Sequence, residues 1–371
     1  MRIADLIHER GPMTVAAFME LALYHPEFGY YARAGQRSGR AGDFFTSVDV
    51  GPVFGELLAA QVAEMFDLAG LKAGATFDLV EAGAGNGRLS ADILRALKRN
   101  RPDLYAATLL HLVDASPAAR AAQRGTLGDV AERLTSSSAA LPETFEGVLI
   151  ANELLDAMPV HQVVMTEAGL NEIYVSRPPT VDGQQSVSCR LSTVNGPLSS
   201  PRLQEYLDRA GATLSPGWRA EINLHAVDWI RDAARRLTRG FMILIDYGHE
   251  ARELYSPSHS AGTLTTFSGH REGSGDAWLQ NPGEQDITSH VDWTSVRMAA
   301  EAEGLQTIAF LDQTYFLLGI VSSSPRPPAP SPGLKTLLLP GGLGSTMKVL
   351  ILGKGIGAPP LLGTSFRVRA T

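Results

Sequence analysis

Apolar runs alternate with amphipathic stretches from residue 77 onward. Each clear run is apolar almost throughout and ends in polar residues, which is typical of a strand buried on both faces of a parallel sheet. A helical pattern follows the first run, because Leu89, Ile93, Leu94 and Leu97 fall on one face of a helix. Alternating strands and helices predict an α/β fold. The predicted strands are residues 77–80, 108–113, 147–151, 240–248, 307–311 and 347–353, with a weaker one at 133–137.

Two stretches of the chain fall outside this alternation. The N-terminal stretch has the pattern of helices with a turn-rich loop between them. A central stretch has the pattern of a β-hairpin, at 160–164 and 172–175, followed by helices at 201–209 and 221–237. We therefore expect a helical extension, a Rossmann-like core, an inserted subdomain, a proline-rich linker and a tail. The predicted bounds are 1–76 for the extension, 77–158 and 236–353 for the core, 159–235 for the insert, 322–333 for the linker and 354–371 for the tail.

Composition narrows the classes of function. The 371 residues are 44% hydrophobic and 19% charged, which is typical of soluble globular domains with a sizeable core. The net charge of −7 disfavours a nucleic-acid partner, which requires a basic face. The single cysteine, Cys189, excludes an internal disulfide. The first residues lack a signal-peptide core and no apolar run has the length of a membrane span, so we expect a cytoplasmic protein.

The first predicted strand ends in an acid, Glu81, and glycines then occupy every second position, at Gly83, Gly85 and Gly87. Glycine has no Cβ, so the chain can turn sharply and a ligand can approach bare backbone at a helix start. The dinucleotide pattern Gly-x-Gly-x-x-Gly fails, because Arg88 stands where its third glycine would fall. The spacing instead matches acid-x-Gly-x-Gly-x-Gly, the pattern of class I S-adenosylmethionine (SAM) methyltransferases. The loop thus favours SAM over NAD, with an ordinary glycine-rich turn as the alternative.

Polar residues follow the second and third of the main strands. Asp114 ends the 108–113 strand, where a nucleotide-binding sheet places its ribose ligand, and Ser116 can cap the next helix. The alternative is that Asp114 only caps the following turn. Asn152 and Glu153 follow the 147–151 strand, at the edge where open α/β sheets bind ligands. They are candidates for holding a substrate amine or guanidinium, and the alternative is a loop that caps its own backbone.

Histidines in the polar loop after residue 248 raise the question of a metal. Their spacing offers no helical pair of the His-Glu-x-x-His kind. The sequence therefore predicts no metal site.

Several blocks of the chain together resemble one family. Their combination is similar to that of the MidA-type SAM-dependent methyltransferases, and the resemblance spans nearly the whole chain. Mitochondrial members of that family are complex I assembly factors that methylate an arginine of a complex I subunit. The blocks are residues 42–47, 54–56, 81–87, 152–160, 245–248 and 286–292.

The resemblance implies a class I, Rossmann-like SAM methyltransferase sheet with an N-terminal helical extension and an inserted α+β subdomain. It implies SAM as the cofactor and reinforces Asp114 as the ribose acid. Asp43 and Thr46, otherwise ordinary loop residues, become cofactor-side residues, because the family's first block is expected to fold over the SAM pocket. The expected cofactor-binding residues are Glu81, Gly83, Gly85, Gly87, Asp114, Ser116, Asp43 and Thr46.

The expected reaction is methyl transfer to an arginine of a protein substrate, with a role in assembling a respiratory-complex-type partner. Arginine is a poor nucleophile because it stays protonated, so carboxylates beside it should hold the guanidinium and localise its charge. The expected catalytic residues are Glu153 first, Asp156 second, and Asn152 as an orienting residue. A homodimer is compatible with the sequence. The alternatives are a non-catalytic assembly factor, a small-molecule methyltransferase and an NAD-dependent oxidoreductase, the last disfavoured by Arg88.

Overall fold

The computed structural model describes residues 3–32, 46–70, 75–177, 191–268, 271–273, 275–323, 331–339, 344 and 346–366. The chain divides into two units, each with a hydrophobic core of its own. The parallel-sheet unit comprises Thr46–Leu154, Trp229–Tyr247 and Arg297–Thr371. The antiparallel-sheet unit comprises Met1–Phe45, Leu155–Asp228 and Gly248–Val296.

The regular elements follow the predicted alternation in the parallel-sheet unit. The described helices are α1 (Ile3–Arg10), α2 (Val15–Tyr24), α3 (Val53–Ala69), α4 (Arg88–Asn100), α5 (Pro102–Ala107), α6 (Pro117–Leu127), α7 (Arg202–Ala210), α8 (Leu224–Arg236), α9 (Ala251–Leu254), α10 (Trp293–Ala302), α11 (Gln313–Ser323) and α12 (Pro332–Leu338). The described strands are β1 (Met13–Thr14), β2 (Phe77–Ala82), β3 (Thr108–Val113), β4 (Leu134–Ser138), β5 (Phe145–Asn152), β6 (His161–Thr166), β7 (Gly169–Ser176), β8 (Ser192–Gly196), β9 (Arg219–Ile222), β10 (Leu237–His249), β11 (Thr265–Ser268), β12 (Arg271–Glu272), β13 (Asp286–Thr288), β14 (Val291–Asp292), β15 (Gln306–Asp312) and β16 (Met347–Lys354).

The sheet of the parallel-sheet unit has the strand order β4, β3, β2, β5, β10, β16, β15. The first five strands pair in parallel, and β16 lies antiparallel to both β10 and β15. The chain order reverses between β2 and β5, which are neighbours in the sheet. This is the α/β fold that the sequence predicts.

Burial on both faces explains why the central strands are continuous apolar runs. In β10, the stretch from Phe241 to Ile245 is fully buried, as are Val148 and Leu149 of β5. The apolar stripe of α4 is buried too, and α4 packs against α3. Gly55 of α3 makes the close approach possible, because a Cβ there would lie 2.6 Å from Cβ of Asp92.

The antiparallel-sheet unit contains a second sheet with the order β1, β7, β6, β9, to which β8 adds on β7. The predicted hairpin is present as β6 and β7. The start of the predicted 221–237 helix was wrong: Arg219–Ile222 forms β9 beside β6, and the helix begins at Leu224. Sheet pairing prevails there because Glu221 is buried, where its carboxylate accepts hydrogen bonds from Gln162 Nε2 (2.8 Å) and from the backbone N–H of Thr263 (2.7 Å).

None of the helices in the described ranges is long and apolar enough to cross a membrane. Residues 178–190, 324–330 and 367–371 lie outside the description, so the middle of the proline-rich segment and the last five residues of the predicted tail are not placed. The domain bounds drawn from the sequence stay predictions.

The tight contact between α3 and α4 generates a test with a matched control. Gly55→Ala adds a methyl group in contact with Asp92 and should lower the free energy of unfolding by about 1–3 kcal/mol. Gly125→Ala adds the same group to α6, where nothing lies within 4 Å of the new Cβ, and should raise stability by up to about 1 kcal/mol. Urea unfolding measures both. Equal effects of the two substitutions would contradict the packing described.

Candidate functional site

The point where the chain order of the sheet reverses determines where a ligand can bind. Strands β2 and β5 are parallel neighbours, with Ala82 opposite Ala151, so the chain leaves both strands at one edge of the sheet. In open α/β sheets the crevice outside the carboxyl ends of two such strands is the usual ligand site. The glycine loop follows β2 there, and Asn152 and Glu153 end and follow β5.

The backbone conformation of the loop explains its three glycines. Gly83, Gly85 and Gly87 have φ values of 72°, 51° and 84°, which residues with a Cβ rarely adopt. At Gly85 a Cβ would meet nothing within 4 Å, so the backbone faces open space. A Cβ at Gly83 would lie 3.1 Å from Cδ1 of Leu154. The loop therefore lies against the residue that follows Glu153.

The carboxylate of Asp114 binds the glycine loop through a hydrogen bond. Its Oδ2 accepts a hydrogen bond from the Gly85 N–H (2.8 Å), and its Oδ1 accepts one from the Ser116 N–H (2.8 Å). A carboxylate has about four acceptor positions, so about two remain for a ligand such as a ribose. The Ser116 hydroxyl caps α6 by accepting from the Ala119 N–H (3.3 Å). The structure thus joins Asp114, Gly85 and Ser116, three of the predicted cofactor residues, in one network.

Glu81 lies in β2, just before the glycine loop, and its carboxylate is buried against the first turn of α4. It accepts hydrogen bonds from the Ser90 N–H (3.1 Å) and from the Ser90 hydroxyl. Burial raises the pKa of Glu81 to about 7, although the Ser90 hydrogen bonds oppose that shift. These contacts fix the start of α4 relative to β2, so the acid of the motif positions the loop between them.

Thr46 is linked to α4 through Asp49, because its N–H and hydroxyl both donate to Oδ2 of Asp49 (3.0 Å each). Oδ1 of Asp49 pairs with the Arg88 guanidinium at 2.9 Å, and Arg88 is the first residue of α4. The segment beginning at Thr46 is therefore held to the end of the glycine loop. Asp43, the other residue predicted from this block, lies outside the described residues.

Asn152 and Glu153 have an unusual local geometry. Glu153 has φ of 52°, one of two positive values among the described non-glycine residues, and its N–H donates to the Ile245 carbonyl (2.8 Å). Such backbone strain persists only where the surrounding structure enforces it, and it is frequent at active sites. Asn152 Nδ2 donates to Oε1 of Glu153 (3.0 Å) and so orients the carboxylate. Oδ1 of Asn152 is buried and has no hydrogen-bond partner in the described part of the chain.

Asp156 lies in the antiparallel-sheet unit, where it is buried. Its carbonyl accepts from the Ser289 N–H (3.0 Å). The pKa of Tyr31 lies well above the ordinary tyrosine value. Burial is the largest cause, followed by the charges of Asp286, Tyr24 and Asp156. Asp156 thus belongs to a buried acid and tyrosine cluster of its own unit, and its catalytic role stays a prediction.

Comparison with known proteins identifies the family. Residues 57–311, well over half of the chain, match the model of the S-adenosyl-L-methionine-dependent methyltransferase family. The chain belongs to this family.

Two relatives and one solved structure agree with that assignment. The protein arginine methyltransferase NDUFAF7, mitochondrial, of Mus musculus is 28% identical over 336 residues, which are 84% of this chain and 71% of the relative. The Drosophila melanogaster homolog is 29% identical over 326 residues, 79% and 68% of the two chains. The crystal structure of a Burkholderia thailandensis superfamily member bound to S-adenosyl-homocysteine has a TM-score of 0.83 at 29% identity, with 99% of this chain and 94% of that chain covered. The resemblance to MidA-type methyltransferases is confirmed.

The residues of this methyltransferase fit SAM. The bare backbone at Gly85 leaves room for a ligand, and Asp114 keeps acceptor positions suited to ribose hydroxyls. When bound, SAM supplies a methyl group activated on a positively charged sulfur, so the protein must mainly align donor and acceptor. In this methyltransferase, the glycine loop and Asp114 would hold the cofactor beside the segment that carries Glu153.

Two contributing residues were not found by sequence reasoning. Gln123 of α6 is fully buried and donates from Nε2 to the Gly85 carbonyl (2.9 Å), which fixes the loop from its other side. Asp246 is buried at the end of β10, and its Oδ2 accepts from the Leu154 N–H (3.1 Å). Asp246 lies in the family block at residues 245–248, where it follows the apolar part of the predicted 240–248 strand. A polar residue at that position could have indicated a site residue. Gln123 gave no such signal, because it lies on a helix in an alanine-rich stretch.

The raised pKa of Glu81 predicts a pH dependence of stability. From the ordinary value of 4.5 up to about 7, the unfolded chain ionises this carboxyl while the folded chain retains its proton. Stability therefore falls as pH rises through that window. Glu81→Gln stays neutral and keeps an oxygen for Ser90, so its stability relative to the native protein should grow across the window and then level off. Urea unfolding at a series of pH values measures this.

The matched control is Glu143→Gln, which changes an exposed carboxyl in the same unit. Its stability difference from the native protein should stay nearly constant with pH. A constant difference for Glu81→Gln as well would show that Glu81 titrates as an ordinary carboxyl.

Proposed function

We propose that this SAM-dependent methyltransferase transfers the methyl group to an arginine of a protein. The observation that carries the proposal is the geometry at the end of β5. Glu153 is held with a positive φ beside the glycine loop, and Asn152 presents a buried oxygen that lacks a hydrogen-bond donor among the described residues. The names of the mitochondrial relatives, protein arginine methyltransferases, support the same acceptor.

A guanidinium matches this arrangement of acceptors. It carries five N–H donors in a rigid plane and remains charged at all ordinary pH values. The Glu153 carboxylate and Asn152 Oδ1 can accept from neighbouring N–H groups of one guanidinium. An unpaired buried acceptor costs about 1–3 kcal/mol, so filling Asn152 Oδ1 would contribute to binding.

The same contacts address the weak nucleophilicity of arginine. A carboxylate placed against two guanidinium nitrogens draws positive charge toward them and leaves electron density on the third. Methylation of that nitrogen requires the net loss of one N–H proton from the guanidinium, which Glu153 would accept from a nitrogen that it contacts and pass to solvent. Asn152 keeps the carboxylate oriented through its Nδ2 hydrogen bond of 3.0 Å. Asp156 stays a second candidate on the sequence argument alone.

The proposal extends to the partner. We take the acceptor to be a subunit of a respiratory-complex-type assembly, met in the cytoplasm, because the MidA-type resemblance implies an assembly role. A small-molecule acceptor is the competing outcome, and the experiment below separates the two.

Glu153→Gln should bind SAM with nearly the native affinity and transfer methyl groups at least about 100-fold more slowly, because the amide neither holds a cation nor takes a proton. The assay incubates the purified protein with methyl-labelled SAM and lysate from a strain lacking the gene. Mass spectrometry of the labelled band and of its hydrolysate identifies the acceptor, and calorimetry measures SAM binding. We expect N-methylated arginine in a protein.

Two further variants make the result interpretable. Asp114→Asn should lose SAM binding along with activity, whereas Glu143→Gln, an exposed carboxyl, should leave both unchanged. Native methylation by Glu153→Gln would overturn the role of that residue. Label found on small molecules or RNA alone would overturn the protein acceptor.

A further inference from the structure

Three histidines that have no role in the site described above come together in the antiparallel-sheet unit. His249, His259 and His290 each direct a ring nitrogen into one cluster, and these nitrogens all lie within 4.8 Å of one another. The ring centroids are 4.8 Å apart for His249 and His259, 5.2 Å for His249 and His290, and 5.8 Å for His259 and His290.

The backbone fixes the positions of these rings. His249 is the last residue of β10, which pairs in parallel with β14 so that Gly248 lies opposite Val291. His290 directly precedes β14, and its N–H donates to Oγ1 of Thr263 (3.1 Å). His259 ends a short 3₁₀ helix, Pro257–His259. The cluster is therefore assembled from three separate elements, two of them joined by strand pairing.

Glu253 orients one of the three rings and lies close to a second. Nδ1 of His259 lies 3.0 Å from the Glu253 carbonyl oxygen, and since a carbonyl only accepts, this nitrogen carries the proton and Nε2 is left as an electron-pair donor. Nδ1 of His249 lies 3.2 Å from Oε1 of Glu253. Histidines that bind metal ions usually donate their other ring N–H to a carbonyl or carboxylate, as His259 does to the Glu253 carbonyl.

The third ring adds an independent sign. Nδ1 of His290 is buried and has no hydrogen-bond partner among the described residues. Buried nitrogens without a partner are rare, because the lost hydration costs free energy.

The distances are compatible with one ion. Nitrogens bound at about 2.0–2.1 Å to a tetrahedral zinc are about 3.4 Å apart, so closing the cluster from 4.8 Å needs shifts of about 1 Å or less per side chain. His259 and His290 line a cavity of about 380 Å³ together with Thr263 and its neighbours. That cavity leaves room for a fourth ligand, either water or a small anion.

We propose that His249, His259 and His290 bind one divalent transition-metal ion of the zinc type, with an open fourth position. Imidazole ligands favour zinc and its neighbours, whereas magnesium and calcium take oxygen ligands. Three histidines with an open position match a site that can bind water or substrate more closely than a closed four-ligand structural site. The inference is independent of the methyl acceptor, because all three residues differ from those assigned to methyl transfer.

The test uses the full-length protein without a histidine tag, stripped of metal with a chelator. Calorimetry with Zn²⁺ should give one equivalent of binding, and Co²⁺ should give the visible absorption of a tetrahedral complex. His259→Asn and His290→Asn should each weaken Zn²⁺ binding about 100-fold, and Glu253→Gln about 10-fold with unchanged stoichiometry. The matched control is His8→Asn, an exposed histidine of α1, which should bind like the native protein.

Thermal unfolding supplies a second readout. Zn²⁺ should raise the Tm of the native protein and of His8→Asn by mass action, and should leave the Tm of His259→Asn and His290→Asn unchanged. The metal-free Tm of each variant checks that it folds. Absence of saturable Zn²⁺ binding to the native protein, or native affinity in both cluster variants, would overturn the proposal.

Discussion

The carboxylate of Asp114 accepts hydrogen bonds from the N–H groups of Gly85 and Ser116, and the arrangement of the cofactor site depends on this bridge. It joins the loop after β2 to the loop after β3, two strands that are neighbours in the sheet. The Gly85 backbone has φ of 51°, a conformation that glycine adopts far more readily than a residue with a Cβ. The glycine spacing and Asp114 therefore depend on each other, because the hydrogen bond between Gly85 and Asp114 needs both.

The conformation of the glycine loop also restricts the segment after β5, which carries Glu153. Gly83 lies close to Leu154, so the glycine loop limits where the segment after β5 can go. Asp246 accepts a hydrogen bond from the Leu154 N–H, and the Ile245 carbonyl accepts one from the Glu153 N–H. Glu153 keeps its strained φ of 52° because these contacts leave little alternative. A rigid carboxylate next to a cofactor loop matches the role that we propose for Glu153 in holding the methyl acceptor.

Much of this site could be predicted from the sequence, because its parts are local. The glycine spacing, Asp114 at a strand end and the Asn152-Glu153 pair all occur within continuous segments, and strand and helix periods placed them correctly. The histidine cluster could not be found in this way. His249 and His290 are 41 positions apart in the chain, and they meet only because β10 continues past the main sheet to pair with β14. The β9 strand was missed for a similar reason: buried partners from distant segments override the local helical pattern around Glu221.

A crystal structure of the protein with S-adenosyl-homocysteine tests the account most directly. The account predicts the ribose hydroxyls within hydrogen-bond distance of the Asp114 carboxylate and the backbone of Gly85 against the methionine part. It also predicts the sulfur close enough to Glu153 that a guanidinium held there lies about 3–3.5 Å from a methyl group on that sulfur. A ribose bound away from Asp114, or a sulfur separated from Glu153 by intervening protein, would contradict it.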